Sequence, residues 1–465
     1  METSEQRLAA LEARMARLES GPIDDVAAAP APGRPRPDVG SAPLSRRGLL
    51  RTGWMAAAGA GGLLVAGRPA GATAAVPAAP VAPATRAQVG PPLAMGSVVN
   101  VKAPDPLTNT PAARGDGVTD DTAAIQARIN LLAFYGGGTL FLPFGKYRVS
   151  ATLTMNTRVH LVGEGGFQHL SQANLSSRPT FISAAHTGTV INIPTGVDFC
   201  AVRNIAFIGS EGTGDASTLH LQGARALVDG CHVFRGGRAA VRIRGGTNVF
   251  TNNWIQASQA APWAADRSHG LWLEACSDSI VAMNQIAAHG AAVLMSVCGG
   301  VNVENNFVFN SYQGIVMQGC RQCQIVGNRV DEHCREGVVV DWNSFQNQIV
   351  GNSIHTNGAR VDGSVPVLER AGLRLRSGWA NTISGNTFGN WCHDVTQEDG
   401  ALDFCRPQQY GLVVLQAASI GPNNVVPHHN IVTGNAFDDQ RVASIVNLGD
   451  PSNVIRTNVG PDFAN

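Results

Sequence analysis

The densest run of titratable side chains in the chain is Asp331-Glu332-His333-Cys334-Arg335-Glu336, with Asp341 five residues further on. Crowded carboxyls disfavour each other's charge, so one is driven toward the protonated form while its neighbour stays ionised. General acid–base chemistry needs that division of labour. Hydrolysis of a glycosidic bond asks for two carboxyls roughly 5–9.5 Å apart, and Glu336 with Asp341, flanking a strand entrance, is the pair whose spacing suits it. β-Elimination of a uronide asks instead for a base, plus an arginine or a cation such as Ca2+ to neutralise the carboxylate. His333, Arg335, Arg374 and Arg376 supply those types. Asp341, Glu336, His333, Arg335 and Asp331 are therefore the catalytic candidates, with hydrolase and lyase chemistry both open. The bland reading of the same run is a solvated charged turn.

These residues need a scaffold, and the sequence is periodic. An apolar-x-x-Asn-x-apolar element recurs at 281–286, 303–308, 325–330, 349–354, 383–388 and 432–437. Its asparagines are Asn253, Asn284, Asn306, Asn328, Asn352, Asn386, Asn435 and Asn458, with closest spacings of 22, 22 and 24 residues. About fourteen residues before most of them lies an apolar triplet such as Leu271-Trp272-Leu273 or Val338-Val339-Val340, usually behind a glycine. Strand, turn, strand and Asn-turn repeated at that step make one coil of a single-stranded, right-handed parallel β-helix, an all-β fold. Coils rise by about 4.8 Å, so like residues stack on like. An inward asparagine line would then satisfy the turn backbone and bond to its own copies.

The same register places the outward side chains. One line runs Arg242, Trp272, Leu294, Val316, Val339, Arg374; the next runs Arg244, Glu274, Ser296, Gln318, Asp341, Arg376. Acid, base, amide and indole side by side suit an extended polar ligand such as a sugar chain. Glu274, Gln318, Arg374, Arg376, Trp272, Arg242 and Arg244 are thus the substrate-binding candidates, against the plainer reading of neighbour-coil ion pairs. The longest insertions, 253–270, 352–372 and 386–411, all enter at one corner of the coil and would wall this surface. On those walls Glu369 and the tryptophans 263, 342 and 391 are further candidates.

Cys276, Cys298 and Cys320 keep the 22-residue step, so they read as stacked buried thiols. Cys320-x-x-Cys323 lacks a second such pair or histidines at ligand spacing, and no metal site is assigned. Cys392 and Cys405 share one loop, and whether they pair stays open. Composition agrees with many short strands: 53 glycines, 6% aromatic and 15% charged residues. With 34 basic and 34 acidic side chains the chain lacks the positive excess of a nucleic-acid binder.

Residues 115–149, GDGVTDDTAAIQARINLLAFYGGGTLFLPFGKYRV, with VHLVGEGG at 159–166, resemble the pectate-lyase-like superfamily, in particular its rhamnogalacturonase/epimerase-type N-terminal module. The resemblance spans roughly 97–460 and implies an N-terminal helix, capped by Asp120 or Asp121, that closes the apolar end of the β-helix. It also implies a carbohydrate-active protein. Arg242-Ile243-Arg244, Ser268-His269-Gly270 and Asp438-Asp439 stand in an order foreign to polygalacturonase-type hydrolases, so no family catalytic residue carries over.

Ahead of this body, residues 1–44 read as a short helix and a Pro/Ala/Gly-rich stretch that cannot bury a core. Residues 45–74 hold Arg46-Arg47, a weakly apolar run and Ala-x-Ala, resembling a twin-arginine (Tat) signal peptide; 75–96 are linker and 97–465 the β-helix domain. The expected protein is secreted or on the cell surface, has no stable membrane span after cleavage, and acts on polysaccharide by lyase or hydrolase chemistry. A non-catalytic glycan-binding or adhesion β-helix is the alternative. Oligomeric state is not legible.

Overall fold

In the computed structural model the described residues are 97–104, 110–165, 180–210, 214–256, 268–288, 290–358, 367–390, 408–415, 424–438, 440 and 443–460. The readings of residues 1–44, 45–74 and 75–96, the pairing of Cys392 with Cys405, and most of the three corner insertions lie outside them. No helix among the described residues is long and apolar enough to cross a membrane.

The body is a stack of coils, each contributing one short strand to each of three parallel faces. The first face has 13 strands, from Val98–Asn100 to Val454–Arg456; the second has 12 and the third 11. A single coil reads third face His269–Glu274, first face Ile280–Ala282, second face Gln285–Ala287, then third face again at Ala291–Ser296. Every named strand pairs in parallel with the equivalent strand one coil away, for example Val281 with Val303 and Val303 with Ile325. Inward residues such as Leu271, Val293, Ile315, Val338 and Leu373 are fully buried in one continuous core.

The asparagine line is continuous. Asn328 Oδ1 accepts from the backbone N–H and the side-chain amide of Asn306, both at 2.9 Å, while its Nδ2 donates to Val303 O at 2.8 Å. The same pattern links Asn253, Asn284, Asn306, Asn328, Asn352, Asn386, Asn435 and Asn458. Each rung follows a residue in the left-handed region: Met283 at φ 56, Asn305 at 54, Gly327 at 66. Such a sharp corner strips backbone groups of ladder partners, and the amide restores them.

Two further lines were not read from the period. At the corner between the third and first faces, Asn347, Asn381, Asn430 and Asn453 hydrogen-bond in series. Cys323 occupies the rung before Asn347, whose Oδ1 accepts from its backbone N–H at 2.9 Å, so the second cysteine of the Cys-x-x-Cys pair holds a structural place. At the corner between the second and third faces stand Ser311, His333, Asn357 and Gln408. The glycines before the third-face strands fill this last corner from inside. A Cβ on Gly337 would lie 2.7 Å from both Gly372 O and Asn357 Nδ2, closer than any real contact.

The helix Thr122–Phe134 packs on the first coils and buries Ala124, Ile125, Ile129 and Leu132 against them. Asp121 sits at its N-cap position but makes no cap bond; its carboxylate accepts instead from the N–H groups of Arg114 and Gly115 at 2.7 and 3.0 Å. Asp120 accepts from the Thr122 N–H, Thr122 Oγ1 and Ser150, which holds its carboxyl down at about 2. These acids are tied into the capping module.

Candidate functional site

The third face carries the outward lines in the anticipated register: Arg242 beside Trp272, Trp272 beside Leu294, Leu294 beside Val316, Val316 beside Val339, Val339 beside Arg374. The next line places Glu274 beside Ser296, Ser296 beside Gln318 and Gln318 beside Asp341, with Arg376 reaching back to Asp341 from the following coil. From Glu274 to Arg376 that is four coil steps, about 19 Å along the helix axis.

At one end of this line Glu274 is held by two arginines: Arg242 Nε at 2.8 Å and Arg244 Nε at 3.3 Å. Trp272 was expected as a sugar-stacking platform, and the structure does not offer it as one. Its ring is 9% exposed and lies beneath the guanidinium groups of Arg242 and Arg238, at 4.3 and 4.9 Å. Its Nε1 donates to Ser296 Oγ at 3.4 Å. Trp272 thus buttresses the arginines.

At the other end Asp341 Oδ2 faces Arg376 Nη1 at 3.0 Å, and Oδ1 accepts from the Trp342 N–H at 2.9 Å. Trp342 itself is 53% exposed in a left-handed corner at φ 51, presenting an open indole next to the acid. Gln318 and Ser296 supply neutral hydrogen-bonding groups on the two preceding coils.

The charged run is dispersed by the corner it turns. Asp331 ends a second-face strand, is buried, and accepts from Arg329 Nε at 2.7 Å. His333 points inward as a rung of the corner line: its Nδ1 accepts from the Ser311 N–H at 3.2 Å, and complete burial pushes its pKa down to about 3. His333 is enclosed inside the corner between the second and third faces, and Asp331 is tied to Arg329 on the second face, so neither reaches a substrate on the third face.

Glu336 and Arg335 do belong to the third-face edge, but as parts of a closed ring. Arg374 Nη1 lies 2.7 Å from Glu336 Oε1 and 2.9 Å from Glu369 Oε1. Arg335 pairs with Glu369 through Nη2 and lies 3.4 Å from Glu336 through Nε. Gln313 Nε2 donates to Glu336 Oε2 at 2.8 Å, and Arg335 Nη1 to the Tyr312 hydroxyl at 3.3 Å. The Glu336 carboxylate is 1% exposed and Arg374 8%, so two acids and two bases neutralise each other almost out of water. The pairing of Glu336 with Asp341 as a two-carboxyl hydrolytic site is therefore corrected. Glu336 precedes the strand Val338–Asp341 that Asp341 ends, its carboxylate is enclosed, and the two acids are bound to different arginines.

Glu369, across the insertion from Asn352, completes the ring; its sequence context carries no signal for that beyond lying at the loop's end. Among the described residues no three His, Cys, Asp or Glu side chains gather at one place, and each carboxylate of the stripe faces an arginine. The seven described cysteines are all buried. Cys276 donates to Gly245 O at 3.0 Å, Cys298 to Leu273 O at 3.3 Å and Cys320 to Met295 O at 3.5 Å, each to the coil below.

Comparison with known proteins agrees with this architecture. The family described as periplasmic copper-binding protein (NosD) matches residues 222–404. Mannuronan C5-epimerase AlgE2 of Azotobacter vinelandii is 53% identical over 60 residues, which is 11% of this chain and 6% of that protein. Alginate lyase 7 of the same organism is 48% identical over 60 residues, 11% of this chain and 7% of its own length. The chain thus spans only a small fraction of the length of the curated relatives it matches. Among solved structures, the DFA-IIIase of Arthrobacter chlorophenolicus A6 in complex with GF2 superposes with a TM-score of 0.54 at 15% identity, covering 78% of this chain and 93% of that one. That likeness is one of fold. The chain is a right-handed parallel β-helix protein, and its similarity to these proteins supports the pectate-lyase-like superfamily.

Proposed function

We propose that the protein is exported by its twin-arginine segment and acts on a uronic-acid-containing polysaccharide laid along the third face, with Asp341 as the proton acceptor. One observation carries this reading: Glu274, Ser296, Gln318, Asp341 and Arg376 stand one per coil in a single line on the third face, with Asp341 itself 3% exposed beneath Arg376 and the exposed Trp342 beside it. The amide and hydroxyl would hold sugar hydroxyls, and Arg376 would neutralise a uronate beside Asp341. The names of the relatives, a mannuronan epimerase and an alginate lyase, support the uronate class.

Elimination suits this geometry better than hydrolysis, because the second carboxyl that hydrolysis needs is not supplied by Glu336. In elimination the Asp341 carboxylate takes the proton α to the uronate carboxyl. The electron pair left behind forms the C=C bond as the β C–O bond breaks, and the leaving oxygen takes its proton from water. A second reading is favoured by one fact: every carboxylate of the stripe is paired with arginine, as in a non-catalytic glycan-binding face.

The test is ultraviolet absorbance of the full chain incubated with a panel of polyuronides, with and without chelator, beside a reducing-end assay. Elimination predicts rising unsaturated-uronide absorbance that Asp341→Asn abolishes and chelator leaves unchanged. New reducing ends without absorbance would establish hydrolysis instead. Retention of glycan with silence in both assays would establish the binding reading.

A further inference from the structure

At the corner between the third and first faces two successive coils carry the same pattern, Arg321-Gln322-Cys323-Gln324 and Phe345-Gln346-Asn347-Gln348. Cys323 and Asn347 point inward as corner rungs, and all four glutamines are exposed. Gln324 pairs in register with Gln348. Gln322 and Gln346 occupy equivalent left-handed positions, with φ 53 and 55, and each donates its N–H to the coil above, at 3.2 and 3.1 Å. The four amides therefore form a square, about 4.8 Å between coils and roughly two residues along the chain. They line a shallow groove of ≈ 340 Å³ together with Cys323.

Three features set this square apart from ordinary polar surface. Glutamine stacked on glutamine would normally bond to its copy, as in amide ladders; none of these four side chains has a partner among the described residues. The left-handed corner position is filled by Thr247, Asp278, Gly300, Ala380 and His429 in other coils, and these two successive coils are the ones that place an amide of the same length there. The rim is also rigid. On the adjoining line Phe345 stacks on Trp379 at 4.6 Å with planes 1° apart, and Trp379 stacks toward His428 at 6.0 Å.

We propose that this groove is a second saccharide-binding site, one that takes neutral, hydroxyl-rich sugar units. An amide donates and accepts at once, and so does a hydroxyl, so a square of amides complements a neutral sugar ring better than it complements an anion. The lining holds no acid and no base, in contrast to the third-face stripe, where arginines recur. The two surfaces would engage different parts of one polymer or two different polymers. Binding here involves no turnover, so its outcome is separable from that of the Asp341 reading.

Calorimetric titration of the full chain with cellohexaose and maltohexaose, and with a hexauronate as charged comparator, tests this. At least one neutral hexasaccharide binds, and the Gln324→Ala/Gln348→Ala double variant, with an unchanged circular dichroism spectrum, binds it about tenfold more weakly. Asp341→Asn leaves that binding unaltered. Failure of both neutral sugars to bind overturns the proposal. So does a double variant that binds like the parent, a loss that follows Asp341→Asn instead, or a groove that prefers the uronate.

Discussion

Arg374 reaches across one coil to bring its Nη1 within 2.7 Å of Oε1 of Glu336, a carboxylate with 1% of its side chain exposed. Charges taken this far from water stay ionised only while their partners remain. Removing one member of the Glu336–Arg374–Glu369–Arg335 ring should therefore cost fold stability first and activity only through it.

Glu336→Gln is expected to destabilise the protein by about 3 kcal/mol, because it strands guanidinium charge in a nearly dry site. Asp341 is also buried, with 5% of its side chain exposed, but its Arg376 partner is one-third exposed and can find water, so Asp341→Asn should cost less, about 1–2 kcal/mol. Denaturation midpoints of the two variants read the difference directly. Equal midpoints, with Glu336→Gln losing turnover at full stability, would return Glu336 to the catalytic set.

The asparagine line predicts a second contrast. Asn328→Ala leaves the buried N–H of Asn306 without its acceptor and Val303 O without its donor, an expected loss of about 3 kcal/mol. Asn302→Ala, on the partly exposed outer side of a first-face strand, should fall within about 0.5 kcal/mol of the parent. Unfolding rates in denaturant distinguish them.

His333 sets a pH dependence whose sign follows from burial. Its folded pKa of about 3 lies below the ordinary 6.5, so between those values the unfolded chain binds a proton that the folded one refuses. The stability that this difference represents is complete above about pH 6.5 and is lost as the pH falls toward 3. His333→Asn keeps the rung, as Asn357 does one coil on, and removes the titration. The variant should show a shallower fall in denaturation midpoint between pH 7 and 4; an unchanged slope would contradict the enclosed position.

Burial drives the thiols of Cys200 and Cys276 up to about 11 and that of Cys231 up to about 12, and the exchange of hydrogen bonds with its cysteine neighbours does the same for Cys320. A thiol so placed is neither ionised nor reachable. Peptide mapping after alkylation of the native protein should find all seven described cysteines unmodified, and all seven modified after unfolding. Native labelling of Cys320 or Cys323 would reopen the redox reading of that pair.

The fold was legible where one residue type repeats at one rung. Eight asparagines and a 22-residue step sufficed to place the strands, and the outward lines followed by alternation. The second corner line hid because its rungs change chemistry, from Asn248 through Ser279 and Cys323 to Asn347, while the backbone demand stays the same. The charged run misled for a related reason. Neighbours in sequence around a corner point to different faces, so Asp331, His333 and Glu336, crowded on paper, end in three separate environments. Glu369 joins Arg335 only across an insertion, and no local spacing announces a contact made that way.

The asparagine lines also constrain how such a chain changes length. Each amide is shared between the coil that bears it and the coil below, so dropping part of a tight coil would set Asn306 against a residue unable to receive it. Lengthening of the stack thus proceeds in whole turns, as a count. Insertions that fall between two rungs leave that register untouched and can vary residue by residue. Ligand reach along the axis is quantised, whereas the fit at its edges can be tuned continuously.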